Sequence, residues 1–230
     1  MKNLGNRFLS LLGQDSLTAI AGSFETVCLR QGQSIFEPMQ QIDHIYFFTK
    51  GLSSEIAVDD GGQRIEVGCI GFEGFAGVPA VLGVNRSPHR SFMETDGTAL
   101  RIETERLMEA ARADDALMSL LLRYVHVFMM QVAATALADG RYNVEQRTAR
   151  WLLMAHDRLE SEELPLTHDF LALMLGVRRS SVTNALHVVE GLGAIKASRS
   201  LITVRERDKL ERLAGASYGL PESEYRRVLG

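Results

Sequence analysis

Cysteine is scarce in this chain. Only Cys28 and Cys69 occur among 230 residues, each set singly in an apolar, strand-like stretch. No Cys-x-x-Cys pair or cysteine/histidine spacing is present, so an iron–sulfur or zinc site has no ligand set. The two thiols are expected to be buried and reduced, which suits a cytoplasmic protein. Long apolar runs are lacking too: none approaches a membrane span. Gly5, Asn6 and Arg7 interrupt the N-terminal stretch before Phe8, so neither a secretory leader nor a membrane partner is expected. An excess of positive charge is absent, the net charge being −4. A nucleic-acid site, if the chain has one, must be a local patch. Finally, there is no Gly-x-Ser-x-Gly elbow, phosphate loop or paired acid–base motif, so no catalytic residue and no metal ligand can be nominated.

What is present divides into two textures. Residues 24–103 carry short β-type runs: Thr26–Leu29, His44–Phe48, Ser53–Val58, Arg64–Ile70, Arg90–Thr95 and Ala99–Ile102. Glycines punctuate them, with tight-turn dipeptides at Asp60-Gly61 and Asp96-Gly97. Such spacing predicts a roll, sandwich or barrel, with a helical segment over the first twenty or so residues covering one end. Residues 104–192 are nearly all helix-type, with Thr104 as a cap for a short first helix and a long helix over about 114–139. On that helix Met118, Leu122, Val125, Met129, Val132 and Ala136 alternate spacings of four and three. This heptad seam suits a partner helix from a second copy. Gly140 is expected to end the helix and serve as a hinge. Another amphipathic helix follows, from Glu145 to about Leu159, burying Ala149, Leu152, Leu153 and Ala155. The tail from Tyr218 reads as frayed or as a short extra element.

The stretch from Leu166 to Val204 carries the most information. Thr167 can cap a helix that ends at Gly176, and Arg178-Arg179-Ser180-Ser181 opens a second, with Val182, Leu186 and Val189 inward. A helix, a short glycine turn and a second helix make a helix-turn-helix. The second helix carries small polar and basic residues at the end that meets base edges in a major groove. Ile195, the basic turn Lys196-Ala197-Ser198-Arg199-Ser200 and Leu201–Val204 then form a wing. Between Leu166 and Leu210, Arg178, Arg179, Lys196, Arg199, Arg205, Arg207 and Lys209 face only Asp169, Glu190, Glu206 and Asp208. The basic patch that the whole-chain charge lacks is therefore here.

Three passages together resemble the Crp/Fnr family of bacterial regulators: Gly51 to Gly83, the long helix up to Gly140, and, most specifically, LTHDFLALMLGVRRSSVTNALHVVEGLGAI from Leu166 to Ile195. The resemblance implies an α+β architecture: an N-terminal β-roll (a jelly-roll like those that bind cyclic nucleotides) over 1–113, a dimerisation helix and hinge over 114–140, and a winged helix-turn-helix over 141–230. It implies a homodimer on a pseudo-palindromic double-stranded operator, with RNA polymerase as a further partner. A family arginine that contacts guanine matches Arg179. The glutamate that usually follows it is Ser180 here, and a later arginine of the same face is Asn184, so the preferred operator departs from the commonest family site. Thr167 and Ser181 match positions that hold the DNA backbone. Arg178, Thr183, Lys196 and Arg199 complete the candidate DNA face.

The resemblance also implies an effector pocket in the roll. Its nearest matches are Gly71, Glu73 and Gly74, with Arg90 and Ser91 for a phosphate, although His89 could take the place of Arg90. These residues are expected to face the long helix near Tyr124 and Phe128. Phenylalanine rather than glycine precedes Glu73, which counts against a cyclic nucleotide. Another anionic or polar metabolite, or a protein competent for DNA without ligand, is expected instead. The oxygen-sensing members use an N-terminal cysteine cluster, which residues 1–27 lack. No histidine or cysteine pattern picks out haem ligands. The alternative of another class is a cupin-like metal-dependent enzyme fused to a helical domain. It would need clustered histidines, whereas the β region has only His44 and His89.

Overall fold

The structure, a computed structural model, describes residues 4–230. After a short 3-10 turn (Leu9–Leu11) and helix α1 (Gln14–Ala21), eight strands follow: β1 (Glu25–Leu29), β2 (Ser34–Phe36), β3 (His44–Lys50), β4 (Ser53–Val58), β5 (Arg64–Ile70), β6 (Phe75–Ala76), β7 (Arg90–Met93) and β8 (Gly97–Glu103). The short helix α2 (Val78–Val81) lies between β6 and β7. The strands form two antiparallel sheets, ordered β1-β8-β3-β6 and β2-β7-β4-β5. Facing each other, they make the expected β-roll. All six expected strands are present. Strands β2 and β6, of three and two residues, were too short to carry an alternation.

Each inner face is apolar where alternation predicts it. Phe8, Phe47, Phe75 and Tyr124 meet ring to ring, with centroids 4.6–5.9 Å apart, and join Ile45, Ile102 and Leu121 in one core. One thiol departs from expectation. Cys69 is buried, but Cys28 stands exposed on β1, an edge strand of its sheet.

Helix α3 (Thr104–Ala113) leads to the long α4 (Asp115–Arg141). Thr104 is not its cap. The Thr104 hydroxyl donates to the Ile42 carbonyl at 2.7 Å, pinning the helix start to the roll. Asp114 caps α4 by accepting from the backbone of Ala116 and Leu117. Gly140 does not break α4, which runs one residue past it. The break falls at Tyr142, and Asn143 and Gln146 form a capping box that starts α5 (Val144–Leu159). Asp139 and Arg147 clasp across the break at 2.6 Å.

Beyond α5 lie β9 (Glu163–Leu164), α6 (His168–Leu175), α7 (Arg179–Gly191), β10 (Ile195–Ala197), β11 (Ile202–Val204), α8 (Arg207–Ala214) and α9 (Leu220–Leu229). Strands β10-β11-β9 form the small sheet of the wing. The tail is no frayed end. Helix α9 returns to α4, burying Tyr225 and Leu229 in the core of the roll. Its charged face, with Glu224 and Arg227 paired, had masked that apolar edge in the sequence.

The seam on α4 also needs correction. Val125 is 3% exposed and packs within its own chain, whereas Leu122 and Met129 are 44% and 60% exposed. Met118 and Val132 are half-buried and Ala136 is exposed. The uncovered stripe therefore runs through Leu122, Met129, Ala136 and Leu137, rotated slightly from the predicted line. By length and hydropathy α4 could cross a membrane. Its other face, with Leu117, Leu121 and Tyr124, is spoken for by the roll.

Candidate DNA interface

The helix-turn-helix is built by local signals. The Thr167 hydroxyl accepts from Phe170 N at 3.1 Å and caps α6, and α6 ends at Gly176, which holds φ of 60°. Val182, Leu186 and Val189, fully buried, seat α7 on α5 and α6. The opposite face of α7 is left to solvent: Arg178, Arg179, Ser180 and Asn184 are exposed and Ser181 is half-buried. The Arg179 guanidinium lies 3.2 Å from the Asp169 carboxylate, a highly exposed pair that DNA phosphate or a base edge can displace at little cost.

Lys196 and Arg199 stand exposed on the wing. Of the other cations counted in this stretch, Arg205 is exposed. Lys209 is paired with Glu206, and Arg207 with Asp157 and Glu211. Arg207 therefore belongs to the interior of the domain, not to its basic face. Thr183 is also committed internally, to His168 Nδ1 at 3.0 Å and to the Arg179 carbonyl at 3.2 Å. Two histidines were missed by the sequence reading. His168 braces α6 against α7 through Thr183, and His187 stands exposed one turn beyond Asn184 on the same face. The i, i+3, i+4 spacing along α7 would have found His187.

This domain does not hang free. Phe170 of α6 packs edge-on against both Phe92 of β7 and Trp151 of α5, and Ile65 of β5 meets Gly176. Among these apolar contacts lie buried carboxyls. Trp151 Nε1 donates to Glu66 at 2.6 Å, and Ser54 donates to Glu94. Burial pushes the Glu66 carboxyl up to about 7 against the pull of the Trp151 hydrogen bond, and raises Glu94 well above the carboxylate range. On the other face of β4, burial drives Glu55 up to about 8. Arg158 of α5 reaches the roll, pairing its Nε with Glu73 Oε1 at 2.8 Å. Nothing in the sequence, where the partners are 85 positions apart, signals that bridge.

The five expected effector residues are not brought together. Gly71 and Glu73 follow β5, whose end is paired with Ser53, while Arg90 stands opposite Ile56. Arg90 is thus two strands across from β5 and three residues back along β7, roughly 10 Å in each direction. Arg90 is paired with Glu37, and Ser91 lies buried beside Glu55. Glu73 is held by Arg158 and by the Gly71 amide. The expected neighbourhood of Tyr124 and Phe128 is right for Glu73, but those two rings fill the space beside the loop. A Cβ on Gly74 would lie 1.9 Å from the Tyr124 hydroxyl, and one on Gly68 would lie 2.8 Å from the Phe128 ring. Glycine is needed at both places so that the rings can close on the backbone.

A β-roll, a long helix with an uncovered apolar stripe and a winged helix with a cationic helix start define a class by fold: a β-roll joined through a long helix to a helix-turn-helix domain. Residues 146–213 match the Crp-like helix-turn-helix domain. That part of the chain is similar to this domain family, and the whole has the architecture of the Crp/Fnr regulators. FixK2 from Bradyrhizobium japonicum superposes with a TM-score of 0.73 at 17% identity, over 84% of this chain and 98% of that one. A Crp/Fnr-family transcriptional regulator from Thermus thermophilus, TTHA1359, gives 0.67 at 22% identity, over 83% and 98%. CLP of Xanthomonas campestris, a c-di-GMP-responsive global regulator, gives 0.68 at 16%, over 84% and 99%. No curated protein matches the chain in sequence.

Proposed function

We propose that this protein is a transcription regulator of the Crp/Fnr type that binds a pseudo-palindromic operator as a homodimer. The observation that carries this reading is the exposed polar and cationic start of α7 beside the cations of the wing, within a Crp-like domain. Arg179 donates to a guanine in the major groove, with Ser180 and Asn184 lining the same face, while Thr183 braces that helix from within through His168. Arg178, Lys196 and Arg199 neutralise phosphates, and Thr167 and Ser181 place the helix N-termini against the backbone. The uncovered stripe of α4 joins two copies through Leu122, Met129 and Ala136, flanked by Met118 and Val132, and so sets the spacing of the two recognition helices. Residues 1–113 serve as sensor, 114–140 as dimer helix and 141–230 as DNA-binding part, except that α9 reaches back to the sensor. RNA polymerase is the further partner, the cytoplasm the location, and no catalytic step is assigned.

Selection of genomic fragments by the purified full-length chain, followed by mobility shifts at several salt concentrations, tests the reading. A shared inverted repeat with half-sites about one helical turn apart supports it. Retention of random duplex equal to that of the selected fragments refutes it.

A further inference from the structure

At the junction of the roll, α4, α5 and α9 lies a cavity of about 280 Å³, close to the lower end of small-molecule sites. Phe72, Val127, Phe128 and Pro221 supply apolar wall. The polar wall is uneven once its internal pairs are set aside. Glu73 is taken by Arg158 and the Gly71 amide, and Asp157 by Arg207 and Tyr218; Glu222 accepts from the Gly219 amide and, like Asp157, also acts electrostatically on Arg158. Glu160 stands exposed at the rim. The cations are less fully used. Arg7 meets only the ring face of Tyr225, at 5.1 Å, and Arg226 has no carboxylate partner among the described residues. Arg158, 9% exposed, spends Nε on Glu73 and Nη1 on the Met154 carbonyl. Its Nη2 makes no protein hydrogen bond among the described residues, and Arg158 lines the cavity wall.

We infer that this cavity binds a small organic anion with an apolar body, such as an aromatic or short aliphatic carboxylate, and so acts as an effector site outside the roll interior. The inference rests on the DNA-binding reading only for the consequence of binding, not for binding itself. The carboxylate bridges Arg7, Arg226 and the free edge of Arg158, and the apolar body lies against Phe72 and Phe128. An occupant there touches the sensor through Arg7 and Phe72, and the DNA-binding domain through Arg158 and the α9 strap. It shifts the orientation of that domain by whatever difference in affinity the two orientations offer.

The test uses the full-length chain with benzoate, phenylacetate and hexanoate as probes. Benzyl alcohol serves as the neutral counterpart and inorganic phosphate as the anion without an apolar body. Thermal unfolding and the emission of Trp151, the single tryptophan, report binding. Expected is a saturable rise in Tm with at least one carboxylate, absent with benzyl alcohol and phosphate. R7Q and R226Q, at exposed positions, should keep the ligand-free Tm and weaken that binding about tenfold each. No response to any carboxylate at millimolar concentration, equal binding of benzyl alcohol, binding of phosphate alone, or full affinity in both variants overturns the inference. Mobility shifts run in parallel keep the two readings apart. Retained DNA binding with no anion binding sinks this inference alone, and anion binding with no DNA binding sinks the regulator reading alone.

Discussion

Replacing Met129 by aspartate puts a charge on the uncovered stripe of α4, and replacing Val125 puts one on its covered face. Met129 is 60% exposed in the single chain, and Val125 is 3% exposed. Fully burying a methionine is worth about 1.5–3 kcal/mol, so roughly 1–2 kcal/mol of that remains to be gained at a dimer seam. An aspartate left there without a partner adds a penalty of similar size. By twofold symmetry each loss occurs twice, giving roughly 4–8 kcal/mol per dimer, a thousandfold or more in dissociation constant. M129D should therefore be monomeric at micromolar concentration by sedimentation, lose operator binding, and unfold at nearly the wild-type denaturant midpoint. V125D should instead lose about 4 kcal/mol or more of folding stability, because the charge enters the roll core. A dimeric M129D, or a V125D that dissociates while keeping its stability, would refute this placement of the seam.

Three further outcomes follow from the geometry. R179A should cost about 1–3 kcal/mol per half-site against the selected operator and little against random duplex, whereas R199A should weaken both alike and reduce the salt slope; the comparison is a pair of titrations at two salt concentrations. Between pH 4.5 and about 7 the native chain keeps a proton on Glu66 that the unfolded chain releases. Stability is therefore fully present below pH 4.5 and falls as pH rises through about 7, by at most about 1.4 kcal/mol per unit, and E66Q should flatten that slope in denaturation series. E73Q should cost roughly 3 kcal/mol by leaving the buried Arg158 cation without its carboxylate, and E73Q with R158M should recover much of it; an additive double-mutant cycle would contradict the bridge.

How far the sequence could be read depended on the range of the signals involved. The helix-turn-helix is written in local terms: a cap at Thr167, a stop at Gly176, and inward Val182, Leu186 and Val189. Each of these does what its position in the sequence implies. The strands with clear alternation were legible for the same reason. On α4, apolar residues line both sides of the helix, and periodicity cannot say which line meets the roll and which meets a second copy. Val125 was assigned to the wrong face on that account. Gly140 misled because one glycine costs only about 1 kcal/mol in a helix, which a helix of 27 residues anchored to the roll can absorb. Strand register defeated the effector assignment. Arg90 and Glu73 look close along the chain, yet β7 and β5 are separated by β4.

The contact between the roll and the DNA-binding domain suggests why such long-range features matter. Its apolar part, around Phe92, Phe170 and Trp151, favours docking. Its polar part works against it. Glu66 Oε1 and Glu94 Oε2 are buried without hydrogen-bond partners among the described residues, and each such atom costs about 1–3 kcal/mol. The apolar part is continuous with the core of the domain itself, since Leu52, Ile56, Cys69 and Phe92 of the roll share one buried cluster with Trp151, Leu171 and Met174, and the unpartnered carboxyl oxygens offset part of what it contributes. The Glu73–Arg158 bridge and the docked α9 add two further attachments between the roll and the C-terminal part. These attachments line the junction cavity, through Glu73, Arg158, Pro221 and Tyr225. The fold thus brings an apolar contact, buried carboxyls and the Glu73–Arg158 ion pair together at one place, between the β-roll and the helix-turn-helix domain.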